Sequence, residues 1–189
     1  MASTERTERE EEARQKMEKA LEALQHEFGA IRTGRASVSL LDMVDVEVYG
    51  TKMKVNQLAT VTAPEPRLLM VTPWDKSQIG VIEKAIIASP LELTPSNDGK
   101  VIRIPIPQPT EERRKELVKM VKKLAEETRV SIRNARRQAI DAVKKAQKAG
   151  DIPEDDAHRE QERLQELTDK YIEKVDDALK HKEEEIMEV

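Results

Sequence analysis

The longest regular pattern of apolar and polar positions lies between Thr110 and Gly150. Apolar or small residues recur there in steps of three and four, which keeps them on one side of an α-helix: Leu117, Val121, Leu124, Thr128, Ile132, Ala135, Ala139, Ala142 and Ala146. Basic residues fall on roughly the opposite side: Lys115, Lys119, Lys122, Arg129, Arg133, Arg136, Arg137 and Lys144. Thr110 followed by two glutamates is typical of a helix start. We therefore predict one helix about 55–60 Å long, with an apolar stripe toward partner helices and a basic row opposite.

Two further long helices are predicted near the ends of the chain. From about Arg9 to Arg32, apolar residues keep coiled-coil spacing: Met17, Leu21, Leu24, Phe28 and Ile31. Pro153 opens the other helix, whose stripe consists of Ala157, Leu164, Leu167, Thr168, Tyr171, Val175, Ala178, the stem of Lys182, and Ile186. Residues 1–8 are polar, and we expect them to fray. Three helices of this kind predict an antiparallel bundle.

Residues 33–104 lie between the helix that ends near Arg32 and the long helix that starts near Thr110. In this segment the period of the apolar positions changes from 3.6 residues, typical of a helix, to 2, typical of a strand. Strands are predicted at 44–49, from Gly50 through Met53 to Val55, and at 58–62, 68–72 and 101–104. A helix capped by Asp75 follows the fourth strand, and 97–99 is a turn signal. Trp74, the only Trp, could be a recognition residue, but we expect it in the core. The block therefore predicts a small inserted α/β domain.

The chain crosses twice between the bundle and the insert. The first crossing is at Thr33-Gly34, where Gly can adopt φ values that other residues resist. The second is Ile104-Pro105-Ile106-Pro107, which the prolines keep extended. Such a pair of connections predicts a hinge, although paired connections can also be rigid.

Composition narrows the class of protein. Charged residues make up 37% of the 189 residues and aromatic residues 2%, which favours long helices with aliphatic stripes over a thick globular core. The absence of Cys excludes disulfides and thiolate metal sites. The apolar runs are too short to span a bilayer, and the acidic N-terminus is unlike a signal peptide. We expect a cytoplasmic protein without a membrane partner.

The net charge of −4 conceals a division between two helices. Residues 111–150 carry 13 Lys/Arg against 6 Asp/Glu, whereas residues 151–189 carry 6 against 15. Positive charge concentrated on one helix, in a row opposite the stripe, is suited to contact with a polyanion along that helix. The alternative is that the basic and acidic helices simply pair with each other, and the sequence leaves both possibilities open.

Several motifs imitate catalytic or binding sites. The segment from Gly29 to Ala36 resembles the spacing of a phosphate-binding loop, but it lacks the Lys and the Ser/Thr that follows it. It also comes after a helix, whereas such a loop follows a strand. His26-Glu27 has no second His four residues after His26, so a protease-like zinc site is unsupported. We therefore expect no cofactor, no metal and no enzymatic activity.

A series of short motifs, in order and covering nearly the whole chain, resembles the bacterial ribosome recycling factor family. They are Arg32-Thr33-Gly34-Arg35-Ala36-Ser37, Leu40-Leu41-Asp42, Tyr49-Gly50, Glu65-Pro66-Arg67, Pro73-Trp74-Asp75-Lys76, Ile82-Glu83-Lys84-Ala85-Ile86, Pro95-Ser96-Asn97-Asp98-Gly99, Thr110-Glu111-Glu112-Arg113-Arg114-Lys115 and Arg129-Val130-Ser131-Ile132-Arg133-Asn134. Val38 and Lys54 stand where many family members have Pro, and Gln108-Pro109 replaces the more usual Pro-Leu. These departures concern the insert and the hinge.

The resemblance implies an α+β fold, in which a long antiparallel three-helix bundle (1–32 and 106–189) carries a small inserted β/α/β domain (33–105) and forms an L. It also implies that the chain dissociates the post-termination ribosome with elongation factor G and its GTP hydrolysis. In this family the bundle contacts large-subunit ribosomal RNA, and the matching arginines are Arg133, Arg136 and Arg137, with Arg129 one turn earlier. We add Lys122 from the same basic row and expect a monomer.

Two competing hypotheses concern function. A structural adaptor would bind a protein partner through the exposed helix faces. An enzyme would require a cleft with convergent titratable groups, for which the sequence offers no candidate.

Overall fold

The computed structural model of the chain describes residues 6–188 and groups them into two compact units. Among the described residues, the first unit consists of residues 6–32 and Glu111–Glu188, and the second is Thr33–Thr110. Long helices build the first unit, and small antiparallel sheets with short helices build the second, which confirms the predicted α+β class. That each unit is a separately folding domain with the predicted boundaries stays a prediction.

The first unit is a bundle of three helices: α1 (Glu8–Ala30), α4 (Glu111–Lys148) and α5 (Glu154–Met187). Side-chain contacts define their directions. The Tyr171 hydroxyl donates to Glu18 at 2.6 Å, and Arg163 donates to Glu10. In both pairs the two residues are 153 positions apart, so residue numbers rise in the same direction along α1 and α5, and these helices run parallel. From α4 to α5 the contacts are Lys122 with Glu183, Arg129 with Asp176 and Arg136 with Gln165. The residue number on α5 falls as that on α4 rises, so α4 runs antiparallel to α5.

Apolar side chains from all three helices fill the centre of the bundle. On α4 the buried positions are Leu117, Val121, Ala125, Thr128, Ile132, Ala135, Ala139 and Val143. The predicted stripe therefore slips by one residue at two places, where Ala125 and Val143 are buried and Leu124 and Ala142 are only half-buried. Both neighbours are apolar in each case, so residue type alone does not fix the phase of the stripe.

A buried polar cluster ties the first turn of α1 to α5. The Thr7 hydroxyl accepts from the Glu10 backbone N–H, and the Glu10 carboxylate accepts from the Thr7 backbone N–H, which forms a capping box. Glu160, only 2% exposed, accepts from the Thr7 hydroxyl at 2.6 Å and from Arg9 at 2.8 and 3.0 Å. Residues 1–5 of the stretch expected to fray lie outside the described residues, whereas Thr7 and Glu8 form a capped helix start.

The second unit begins with a 3₁₀ turn (Val38–Met43) and a hairpin of β1 (Asp45–Val48) and β2 (Thr51–Lys54). Tyr49 and Gly50 make the tight connection with positive φ values of 52° and 74°. A one-turn helix, α2 (Val55–Leu58), follows where the second strand was expected to continue. Neither short helical segment was predicted, because segments of six and four residues are too short to show a helical period.

A second sheet contains four antiparallel strands in the order β3–β4–β6–β5. The strands are β3 (Ala59–Glu65), β4 (Leu68–Pro73), β5 (Ser96–Asn97) and β6 (Ile102–Pro105). Asp75 caps a 3₁₀ turn (Lys76–Gln78) that leads into α3 (Ile79–Ala88), and α3 buries Ile82 and Ile86. The core of this unit is separate from that of the bundle.

The prediction that Trp74 is a core residue is wrong. Trp74 is 67% exposed, and its indole N–H donates to the Thr60 hydroxyl at 3.1 Å. The buried positions of β4 are Leu69, Val71 and Pro73, so the period of two places the next residue on the outer side.

In the described part of the chain, none of the helices combines the length and the apolar character needed to cross a bilayer.

Candidate nucleic-acid interface

Positive charge on α4 is concentrated in its C-terminal half. Residues 129–148 contain seven basic side chains and a single acidic one, Asp141: the basic residues are Arg129, Arg133, Arg136, Arg137, Lys144, Lys145 and Lys148. Residues 111–128 contain six basic and five acidic side chains, so that half of the helix is nearly neutral. The C-terminal half is therefore the part of the helix that attracts a polyanion.

Arg129 is the most enclosed member of the predicted row, with a side chain that is 18% exposed. Its Nε and Nη2 donate to Asp176 Oδ1 on α5 at 2.9 and 2.7 Å, and its Nη1 donates to Glu126 Oε2 at 3.0 Å. Burial lowers the pKa of this guanidinium, but the hydrogen bonds to Asp176 and Glu126 outweigh burial and hold the pKa above its ordinary value. Arg129 is thus a cation already matched by carboxylates within the chain.

Arg133 and Lys122 are held more loosely. Arg133, 39% exposed, lies 3.5 Å from Glu126 Oε1, so Glu126 is shared between two arginines. The Lys122 ammonium lies 4.0 Å from Glu183 Oε1 on α5 and is well exposed. Both ion pairs are long and exposed, so a phosphate could displace the carboxylate from either cation.

Arg136 and Arg137 differ sharply although they are neighbours. Arg136 is half-buried and donates to the Gln165 side chain on α5 at 2.9 Å. Arg137 is exposed and, within residues 6–188, makes neither an ion pair nor a hydrogen bond. Its guanidinium therefore has all five N–H donors available.

The expectation that the whole row lies opposite the apolar stripe is wrong for Arg129 and Arg136. At about 100° per residue, these two lie beside the stripe on the flank that faces α5, and Arg137 lies on the outer side. The alternative of helix pairing therefore holds for Arg129 with Asp176 and for Lys122 with Glu183. Arg137, Lys144, Lys145 and Lys148, by contrast, are exposed and make no ion pair with α5 within residues 6–188.

The residues predicted to form the hinge lie in the second unit. Gly34 has a φ of +81°, and a Cβ added to it would lie 2.4 Å from Pro109 Cδ. Ile104 and Pro105 belong to β6, and Ile106 is buried and donates its N–H to the Arg67 carbonyl at 2.8 Å. Thr33 is buried, and Pro107 places its carbonyl within 3.5 Å of the same added Cβ. The hinge role of these residues stays a prediction.

The His, Asp and Glu side chains of the described residues were candidates for a metal site, and one depression on the bundle is lined by polar side chains. Within residues 6–188, His, Asp and Glu form no group that could hold a metal ion. An open, polar depression of about 560 Å³ lies where α4 meets α5 and is lined by Gln147, Glu154, Asp155, His158, Arg159 and Gln161. Its one His pairs with Glu162 at the surface.

Comparisons with known proteins agree on one family. The ribosome recycling factor family profile matches residues 24–187. Ribosome-recycling factors of Carboxydothermus hydrogenoformans and Bacillus subtilis are 56% and 54% identical over 178 residues, which cover 94% of this chain and 96% of each relative.

Two solved structures are also similar. A solution structure of a ribosome recycling factor matches with a TM-score of 0.71 and 42% identity, covering 96% of both chains. A second structure contains models of the T. thermophilus ribosome recycling factor and the E. coli elongation factor G bound to the E. coli post-termination complex. Its matching chain gives a TM-score of 0.61 at 48% identity, covering 95% of this chain and 97% of that one.

Proposed function

Because this chain belongs to the ribosome recycling factor family, we propose that it dissociates the post-termination ribosome together with elongation factor G. The subunits are then free for new initiation. In this proposal elongation factor G hydrolyses GTP, and the chain contributes binding and geometry. A related factor has been placed with elongation factor G on a post-termination complex, which supports both partners.

The observation that carries the proposal is the seven-to-one excess of basic residues over residues 129–148 of α4. Ribosomal RNA presents a dense row of phosphates, and Lys and Arg that neutralise them release condensed counterions. Arg137 is exposed and unpaired within the described residues, and Arg133 is only loosely paired. In our proposal these two arginines make the main phosphate contacts, while Arg129, Arg136 and Lys122 form the flank of the same contact surface.

The long helix suits a factor that must transmit force. The 38 residues of α4 span about 57 Å and include neither Gly nor Pro, and both neighbouring helices pack along it. We place the hinge at the two connections between the units. Since Ile104, Pro105 and Ile106 are held by the sheet and core of the second unit and Thr33 is buried, bending is expected mainly at Gly34 and Pro107.

A splitting assay with purified components tests the proposal. Post-termination ribosomes are mixed with this chain, elongation factor G and GTP, and subunit dissociation is followed by light scattering. We expect dissociation with all three components and none when either protein is omitted or GTP is replaced by a non-hydrolysable analogue. Unchanged scattering with all three present would contradict the proposal.

A further inference from the structure

Two carboxylates on the bundle lie against the arginines proposed to bind RNA. Asp176 of α5 accepts two hydrogen bonds from Arg129, at 2.9 and 2.7 Å. Glu126 of α4 accepts from Arg129 at 3.0 Å and lies 3.5 Å from Arg133. We call Asp176 and Glu126 the internal counter-anions.

The exposure of the internal counter-anions indicates a modest part in folding. Their side chains are 54% and 57% exposed, and ion pairs with such exposed carboxylates contribute little to stability because water and salt screen them. Both lie at the edge of the basic surface, where an approaching polyanion meets them. Their position therefore bears on ligand binding more than on packing.

The donors that the internal counter-anions occupy are the ones that a phosphate would use. Arg129 directs three of its five N–H groups at the two carboxylates, and Arg133 points one nitrogen at Glu126. A phosphate that takes over these donors must displace a carboxylate or bind within a few ångströms of its negative charge. Either event lowers the net gain from neutralising that phosphate.

We propose that Asp176 and Glu126 compete with ribosomal RNA phosphates for Arg129 and Arg133, and so limit the affinity of the chain for the ribosome. The inference rests on the proposed function, since it assigns a regulatory part to the same surface. Its consequence is a factor that binds most tightly through Arg137, holds RNA less tightly through Arg129 and Arg133, and leaves readily after the subunits part.

If the internal counter-anions assist RNA binding instead of competing with it, their removal weakens the affinity for the ribosome instead of raising it. If the two carboxylates position Arg129 for a phosphate that it contacts from its free edge, removing either one disorders the guanidinium and weakens binding. If they only stabilise the bundle, their removal changes the melting temperature and leaves affinity unaltered. Affinity therefore separates the three possibilities.

The chain offers matched controls for each substitution. Asp176→Asn and Glu126→Gln remove one negative charge each with little change of shape. Asp177→Asn and Glu127→Gln remove the same charge from adjacent exposed positions whose carboxylates make no ion pair within residues 6–188. Arg137→Ala serves as the reference for loss of a proposed phosphate contact.

The experiment measures binding of each variant to purified large ribosomal subunits by sedimentation over a series of salt concentrations. We expect Asp176→Asn and Glu126→Gln each to tighten binding roughly fivefold at low salt, the effect of removing one like charge about 4 Å from a phosphate in water. The slope of log affinity against log salt should steepen by up to about 0.9 per arginine released. Both controls should stay within about twofold of wild type, and Arg137→Ala should bind more weakly.

The results distinguish this inference from the proposed function. If Arg137→Ala weakens binding while the counter-anion variants match their controls or bind more weakly, the competition is overturned and the proposed RNA-binding face stands. If neither Arg137→Ala nor the counter-anion variants alter affinity, both are overturned. Circular dichroism melts of every variant exclude unfolding as the cause of a change.

Discussion

Glu160 offers the sharpest test of how the bundle is held together. It is a carboxylate of α5 that is almost completely buried, and it accepts three hydrogen bonds from Thr7 and Arg9 at the start of α1. The substitution Glu160→Ala removes the acceptor and leaves Arg9 and the Thr7 hydroxyl without these bonds. We predict a less stable bundle.

The size of the expected loss in unfolding free energy follows from how deeply Glu160 and Arg9 are buried. Breaking a fully buried pair costs about 3–5 kcal/mol, because the remaining charge has no compensation. The Arg9 side chain is 30% exposed and can recover part of its hydration, so we expect about 2–3 kcal/mol. For a chain of this size that loss lowers the melting temperature by about 5–10 °C.

The effect depends on pH with a definite sign. Burial raises the pKa of Glu160, but the hydrogen bonds from Arg9 and Thr7 outweigh burial, so the pKa in the folded state lies below its ordinary value of 4.5. A group with a lowered folded pKa stabilises the fold above its unfolded pKa and loses that contribution as pH falls through the folded value. The stability advantage of wild type over Glu160→Gln is therefore full at neutral pH and shrinks below pH 4.5.

Thermal melts followed by circular dichroism at 222 nm, where the three long helices dominate the signal, measure these differences. Glu166→Ala is the matched control, since Glu166 is exposed on the same helix and makes no ion pair within the described residues. The control should melt within about 2 °C of wild type. A Glu160→Ala melt as close to wild type as the control, or an advantage over Glu160→Gln that grows in acid, would refute the reasoning.

Three further predictions concern the second unit. Gly34→Ala places a methyl group 2.4 Å from Pro109 Cδ at a φ of +81°, so it should destabilise this unit by about 2–4 kcal/mol; urea unfolding followed by Trp74 fluorescence measures this, and an unchanged midpoint would refute it. Trp74→Ala should cost less than about 1 kcal/mol in urea unfolding followed by circular dichroism, instead of the ~3–5 kcal/mol typical of a core aromatic residue. Replacing residues 34–104 with a short Gly/Ser linker should leave a helical protein, because the bundle core lies outside that segment; loss of the helical circular dichroism spectrum would contradict the domain boundary.

The long helices were predictable because their pattern is repeated many times. The predicted starts and ends of α4 and α5 agree with the structure to within about two residues, and most of their stripe residues are buried. The one-residue slip at Leu124 and Ala125 arises where two apolar residues are adjacent, so packing against α1 and α5 decides which is buried. Periodicity thus predicts a helix more reliably than its exact rotation.

The buried carboxylates of Glu10 and Glu160 escaped prediction for a different reason. Each resembles the solvated glutamates around it, and its burial depends on an arginine about 150 residues away along the chain. One local signal was nevertheless available, because Thr7 followed by Glu10 three residues later is the sequence of a capping box.

Trp74 and the arginine row show how residue type can mislead. The rarity of Trp suggested burial, while the alternation Leu69, Val71, Pro73 already assigned the inner face of β4 to other residues. On α4 the sequence separates basic from apolar positions, but the structure is needed to show that Arg129 and Arg136 lie beside α5. Proximity to α5 explains the bonds of Arg129 and Arg136 to that helix, whereas Arg133 is paired within α4 and Arg137 points outward.

The most direct test of the account is the salt dependence of binding to purified large ribosomal subunits by Arg133→Ala/Arg137→Ala. Lys170→Ala is the control, because Lys170 is an exposed cation on the acidic helix α5. We predict that the double variant binds more weakly at low salt, with a slope of log affinity against log salt shallower by about 1.5–2, as expected for two lost phosphate contacts. The control should keep the wild-type slope to within about 0.3. A double variant with wild-type affinity and slope would contradict the claim that α4 binds ribosomal RNA.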